Sequence, residues 1–123
     1  MSRSARAAAM VLIALLTADG SPAAPRPKTE QAKIDALLQE MQASDAVFIR
    51  NGKEYSGKKA ASHLRRKLAF AGDRVRTARD FVAGIATRSE ETGAPYRLRL
   101  RGGELRPLGD WLGERLVAME RKP

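Results

Sequence analysis

The stretch Ala46–Ala71, AVFIRNGKEYSGKKAASHLRRKLAFA, decides the fold. Ala46 to Arg50 is rich in β-formers, and Asn51-Gly52 follows at once. That pair supplies the two positive-φ residues of a tight hairpin turn, so Lys53 to Tyr55 reads as a short return strand. Ser56 stands where an N-cap belongs. A helix over about Gly57 to Ala71 follows, and Gly72 is placed to end it. The stretch thus predicts a hairpin feeding directly into a helix.

The flanks extend the pattern. Upstream, Ile34, Leu37, Leu38 and Met41 follow the i, i+3, i+4, i+7 spacing of one helical face, which predicts a first helix over about Glu30 to Ala43, capped by Thr29 or a neighbour. Downstream, Thr77 with Asp80 resembles a capping box with Asp in place of the usual Glu, opening a third helix through Ala86 with Phe81, Val82 and Ile85 inward. Thr87 to Pro95 is a polar loop: either a plain connection or, through TRSEETG, a flap able to close over a ligand. Tyr96 to Arg101 alternates apolar and basic side chains at the period of a half-buried strand. Gly102-Gly103 is a turn, and Glu104 to Arg106 the return. Pro107 starts a last helix with the stripe Leu108, Leu112, Leu116 and Met119, and Trp111 on its flank. Two short hairpins and four helices do not alternate as β-α-β. The expected class is α+β, about four helices packed on a small antiparallel sheet.

The N-terminus reads as an address. Arg3 and Arg6 precede an apolar run, Ala7 to Leu16, with small residues at Ala18, Gly20, Ser21, Ala23 and Ala24. That is the layout of a secretory signal peptide. The run is shorter than the roughly 20 residues of a spanning helix, so cleavage after Ala23 is expected over a retained anchor, with Gly20 an alternative site. Residues 1–23 are the signal, 24–29 a flexible leader, and 30–123 a single domain. The expected location is the periplasm, with no transmembrane segment after cleavage.

The chain carries 23 Lys and Arg against 14 Asp and Glu, a net charge of +9. Losing Arg3, Arg6 and Asp19 with the signal leaves +8. That surplus favours anionic partners through attraction that salt weakens: a small anion or an anionic envelope component. Export argues against nucleic acid. The alternative is a basic surface that only aids solubility. The absence of cysteine rules out disulfides, thiolate zinc sites, thiol redox chemistry and cysteine nucleophiles. With one histidine and no acidic cluster, no metal site and no cofactor are expected.

The second helix breaks its own pattern. On a wheel of about 100° per residue, Lys67 falls within the apolar arc centred on Leu64, and His63 lies on its shoulder beside Phe70. His63 and Lys67 are i, i+4 neighbours. A cation in an apolar arc must be solvated, paired or functional. Lys67 therefore snorkels to water, pairs with Asp73 or Asp80, or joins His63 in an anion pocket approached by Arg50 and Asn51. A second candidate is the strip Arg97, Arg99 and Arg101, which share one strand face. Arg106 would join them across the hairpin, and Tyr96 offers a stacking surface. The competing reading is an ordinary exposed sheet face. The last helix balances its charges, which favours core packing over a membrane-surface role. Catalytic templates fit poorly: a triad would have to be built on His63, and no serine carries a nucleophile elbow. No catalytic residue is assigned, and the enzymatic alternative is a small hydrolase using His63 as acid or base.

The runs FIRNGKEYSGKKAASHLRRKL (48–68), TARDFVAGIA (77–86), TGAPYRLRL (92–100) and DWL (110–112) resemble the YfeK-like family, small bacterial secreted proteins with a domain of unknown function. The resemblance spans Ile34 to Leu116 and is most specific at Arg50-Asn51-Gly52, followed by His63-Leu64 and Lys67. It implies periplasmic export and no assigned reaction, cofactor or partner. Arg50, Asn51, Gly52, His63, Lys67, Tyr96 and Trp111 match positions that recur in the family pattern. Some relatives carry a cysteine near the start of the second helix; here Tyr55 and Ser56 stand there, so no thiol mechanism carries over.

Overall fold

The computed structural model of the chain describes residues 24–122. The expected signal segment, residues 1–23, lies outside the described residues. Element order is α1 (Lys28–Ala43), β1 (Val47–Arg50), β2 (Lys53–Tyr55), α2 (Gly57–Ala71), a 3-10 turn (Gly72–Arg74), α3 (Ala78–Gly84), β3 (Arg97–Arg99), β4 (Leu105–Pro107) and α4 (Leu108–Arg121). Four helices and one four-stranded antiparallel sheet of order β2-β1-β3-β4 make it an α+β domain. The two hairpins join through β1 and β3, with Phe48 opposite Leu98.

The hairpin-to-helix stretch folds as its residues dictate. Asn51 (φ 52°) and Gly52 (φ 78°) make the turn with both residues left-handed. The Ser56 hydroxyl accepts from the Lys59 amide (3.2 Å), and α2 ends where Gly72 takes φ 64°. Gly57 has a different reason to be glycine: a Cβ there would lie 2.0 Å from the Met41 carbonyl oxygen. The start of α2 thus rests on the end of α1 at backbone contact.

Alternation sorts the sheet into two faces. Phe48, Arg50, Tyr55, Tyr96 and Leu98 face the helices, whereas Val47, Ile49, Arg97 and Arg99 face outward. Helices α2 and α4 pack on the sheet, and α1 packs against α2, α3 and α4. The predicted α1 stripe (Ile34, Leu37, Leu38, Met41) is entirely buried, with Leu64, Phe81, Leu98 and Leu112 beside it. Side chains of this size contribute about 1.5–3 kcal/mol each on full burial. Trp111, expected on a flank, is in the core: its ring meets Phe48 edge-to-face at 6.2 Å, and the Arg115 guanidinium covers it at 3.8 Å.

Boundaries shift where tertiary contacts replace local signals. Helix α1 begins at Lys28, two residues early and without a side-chain cap. Arg26 anchors its approach instead, donating to the carbonyls of Gly72 (2.8 Å) and Val75 (2.6 Å). In α3, Thr77 caps the Asp80 amide (2.9 Å), and the Glu30 carboxylate accepts from the Ala78 amide (2.8 Å). That bond and Lys33 hold the Glu30 carboxyl below its ordinary pKa. Strand β3 is confined to Arg97–Arg99 because the Tyr96 amide and carbonyl bond to Thr87 and Leu108 outside the sheet. Pro107 closes β4 rather than opening α4. No helix among the described residues is long and apolar enough to cross a membrane.

Candidate functional site

A cleft of about 330 Å³ opens between α2 and the first hairpin. Phe48, Leu64, Met41 and Leu108 supply its apolar wall, and Tyr55 and Tyr96 its phenols. Arg50, Lys59, His63 and Arg66 line it as well, and no carboxylate does among the described residues. Helical spacing explains the gathering: Lys59, His63 and Arg66 fall on one side of α2. Strand alternation sets Arg50 on the face of Phe48, toward that helix.

Arg50 is held loosely. One guanidinium nitrogen donates to the Tyr55 hydroxyl at 3.4 Å, and another lies 3.6 Å from the exposed Glu91 carboxylate. Its Nε is buried with no hydrogen-bond partner among the described residues. A buried donor left unmet costs free energy that a bound acceptor would recover.

Lys67 is held tightly. Its ammonium is half-buried and is in no ion pair with Asp73 or Asp80. It donates to the carbonyls of Ile85 (2.9 Å) and Arg88 (3.2 Å) and to the Tyr96 hydroxyl (3.1 Å). Three acceptors match its three protons. The ammonium thereby fastens the chain just after α3 to α2 and lies 4.9 Å from the Tyr96 ring centre. The cation in the apolar arc closes a joint between α2 and the 85–96 segment, and it is not among the residues lining the cleft.

His63 links the two systems. Its Nε2 is 3.3 Å from the Tyr96 hydroxyl, with the rings edge-to-face. Burial, then the positive charges of Arg50, Lys67 and Arg66, push the imidazole below its ordinary pKa of 6.5, against a smaller opposing effect of Glu91. The lowered pKa favours the neutral ring. The Tyr96 hydroxyl accepts from Lys67 and shares a hydrogen bond with Nε2, leaving Nδ1 as the ring nitrogen not engaged by Tyr96.

Asn51 does not enter the cleft lining. Its amide donates to the buried Ser89 hydroxyl (3.2 Å) and its carbonyl accepts from Thr92 (2.6 Å). With Ser89 amide to Ala94 carbonyl (2.9 Å) and Gly93 amide to Ser89 carbonyl (2.8 Å), the 87–95 loop is a tied structure, not a free flap. The arginine strip also divides. Arg97 and Arg99 share the outer sheet face, but Arg101 sits in the turn beyond β3. Arg99 pairs with Glu54 (2.7 Å) and Arg101 with Asp45 (2.5 Å). Arg106 lies opposite Leu98 on the helix-facing side and pairs with Glu114, so it cannot join them. Tyr96 is buried and presents no stacking surface.

A second depression, about 440 Å³, is lined by Lys67, Phe70, Ile85 and Glu90 and shares His63 and Arg66 with the cleft. The ammonium there already meets three acceptors and Glu90 adds negative charge, so this depression offers an anion less than the α2–hairpin cleft does. Among the described residues no group of three or more metal-ligating side chains gathers.

The sequence reading named Arg50, His63 and, in its arginine strip, Arg97, all of which border the cleft, but passed over Lys59, Arg66 and Tyr55. The i, i+4, i+7 run Lys59–His63–Arg66 was available as a signal. The burial of Tyr96 was also readable, since Tyr96 alternates in phase with Leu98 and Leu100.

Residues 28–120 match the model of a family of unknown function (DUF5329), and the chain belongs to that family. It is also similar to the Salmonella typhimurium protein named "Uncharacterized protein YfeK", 41% identical over 68 residues, which cover 54% of this chain and 57% of that protein. The matched region thus spans little more than half the length of that relative. No solved structure matches the chain.

Proposed function

We propose that this domain is a periplasmic binding module for a small organic anion, held in the α2–hairpin cleft by Arg50, His63 and the rim cations Lys59 and Arg66. The observation that carries the reading is the buried, unpartnered Nε of Arg50 beside a cleft with a cationic rim and an apolar wall. Small-ligand sites are typically apolar clefts with a few convergent polar groups. A carboxylate or phosphate would accept from the Arg50 guanidinium and meet the His63 ring, while its carbon body lies against Phe48 and Leu64. No observation favours the hydrolase alternative: the Nε2 of His63 is engaged by Tyr96, and no carboxylate orients the ring among the described residues. Export rests on the basic start at Arg3 and Arg6 and the apolar run that follows.

The test is a melting-temperature screen at low salt with benzoate, octanoate, phenyl phosphate and inorganic phosphate. The amphiphilic anions should raise the melting temperature more than inorganic phosphate, and Arg50→Gln should remove the shift. A flat response, or one that survives Arg50→Gln, refutes the reading. N-terminal sequencing of the chain recovered from a periplasmic extract should start at Ala24; an intact Met1 would refute cleavage.

A further inference from the structure

The outward side of α2 carries a run of cations with no carboxylate on the same helix. The helix contains no acidic residue. Lys58, Lys59, Arg65 and Arg66 are exposed on it, and none is in an ion pair among the described residues. Several basic side chains elsewhere are answered by carboxylates, Lys33 and Arg79 by Glu120, Arg99 by Glu54 and Arg101 by Asp45, whereas on α2 four exposed cations stand together on one helix without one among the described residues. At the C-terminal end of the same helix Phe70 is 87% exposed, the most exposed large apolar side chain described. It stands one turn beyond Arg66, which places ring and guanidinium side by side.

A single exposed phenylalanine needs no explanation by itself. Its position at the end of an acid-free cationic helix face does. One ring is too little apolar surface for the core of a protein–protein interface. It suits a bilayer surface, where an aromatic side chain sinks to headgroup depth while basic side chains meet lipid phosphates. We propose that this face of α2 docks the domain peripherally on an anionic phospholipid bilayer, with Lys58, Lys59, Arg65 and Arg66 against the headgroups and Phe70 inserted among them. Lys59 and Arg66 also border the cleft, whereas Lys58, Arg65 and Phe70 do not line it, so variants at those three test the docking face separately from the cleft.

The test is co-sedimentation of the chain lacking residues 1–23 with vesicles of phosphatidylglycerol and phosphatidylcholine, against phosphatidylcholine alone, at low salt. The protein should sediment with the anionic vesicles only and be released by high salt. The pair Lys58→Glu/Arg65→Glu should weaken binding by about tenfold or more, and Phe70→Ser by severalfold. Arg121→Glu, an exposed charge reversal on α4, should leave it within about twofold. All variants are compared at a melting temperature equal to the parent's, with Lys58→Gln/Arg65→Gln replacing the reversal if that pair melts lower. Equal binding to neutral vesicles, or no binding to anionic ones at low salt, overturns the proposal. So does Arg121→Glu proving as damaging as the α2 pair, because attraction would then be diffuse. Binding to duplex DNA with the vesicles ignored would also overturn it.

Discussion

On one side of α2, Lys67 meets two carbonyls and a phenol; on the other, Arg50 meets a phenol at 3.4 Å and a carboxylate at 3.6 Å. Both cations are half-buried, Lys67 on α2 and Arg50 on the strand facing it, yet one is saturated and the other is short of acceptors. The chain just after α3 offers free carbonyls at the place where a helix runs out of its own donors, and Lys67 takes them. The hairpin offers Arg50 no such supply, since the carbonyls of β1 are committed to β2 and β3. A buried cation that the fold satisfies acts as a joint. One that the fold leaves short is available to a ligand.

The largest effect expected of breaking this contrast is at the joint. Lys67→Met keeps the packed methylenes but strands the Ile85 and Arg88 carbonyls and the Tyr96 hydroxyl, which should cost about 2 kcal/mol in denaturant unfolding. Removing that positive charge should also raise the His63 pKa, read by NMR titration. A cost near zero would make Lys67 a cleft residue after all. Tyr96→Phe should cost about 1 kcal/mol. It should also shift the His63 pKa, because the ring loses its hydroxyl partner at 3.3 Å.

The depressed pKa of His63 fixes the sign of a pH effect. The unfolded chain binds a proton at the ordinary value of 6.5, while the folded chain resists it to lower pH. Stability from the neutral ring is therefore present above 6.5 and declines as pH falls through that value toward the lowered folded pKa. Melting temperatures taken from about pH 7.5 to about pH 5 should fall more steeply for the parent than for His63→Gln. Parallel curves would mean that the ring is not desolvated.

The smallest stability change belongs to the cleft. Arg50→Gln should stay within about 0.5 kcal/mol of the parent, since the bonds it loses are long and one donor had no partner. The same substitution should abolish any anion-induced melting shift. A stability loss as large as that of Lys67→Met would erase the distinction between the two sides.

Local chemistry was enough to read most of the architecture. The turn at Asn51-Gly52, the cap at Ser56, the stop at Gly72 and the stripe in α1 depend on residues within a few positions of one another, so their spacing carries the information. The sequence likewise marked Lys67 and His63 as the place where a helix departs from its pattern. Their partners come from segments far along the chain. The Ile85 and Arg88 carbonyls lie 18 and 21 residues after Lys67, and the Tyr96 hydroxyl lies 33 after His63. The close approach of Gly57 to Met41, the tie between Asn51 and the 87–95 loop and the split of the arginine strip depend on packing in the same way. Residue types and their spacing determined which elements form and where charge interrupts them. Only the tertiary structure decided which charges are answered, because an acceptor brought from a distant segment leaves no trace in the residues around the donor.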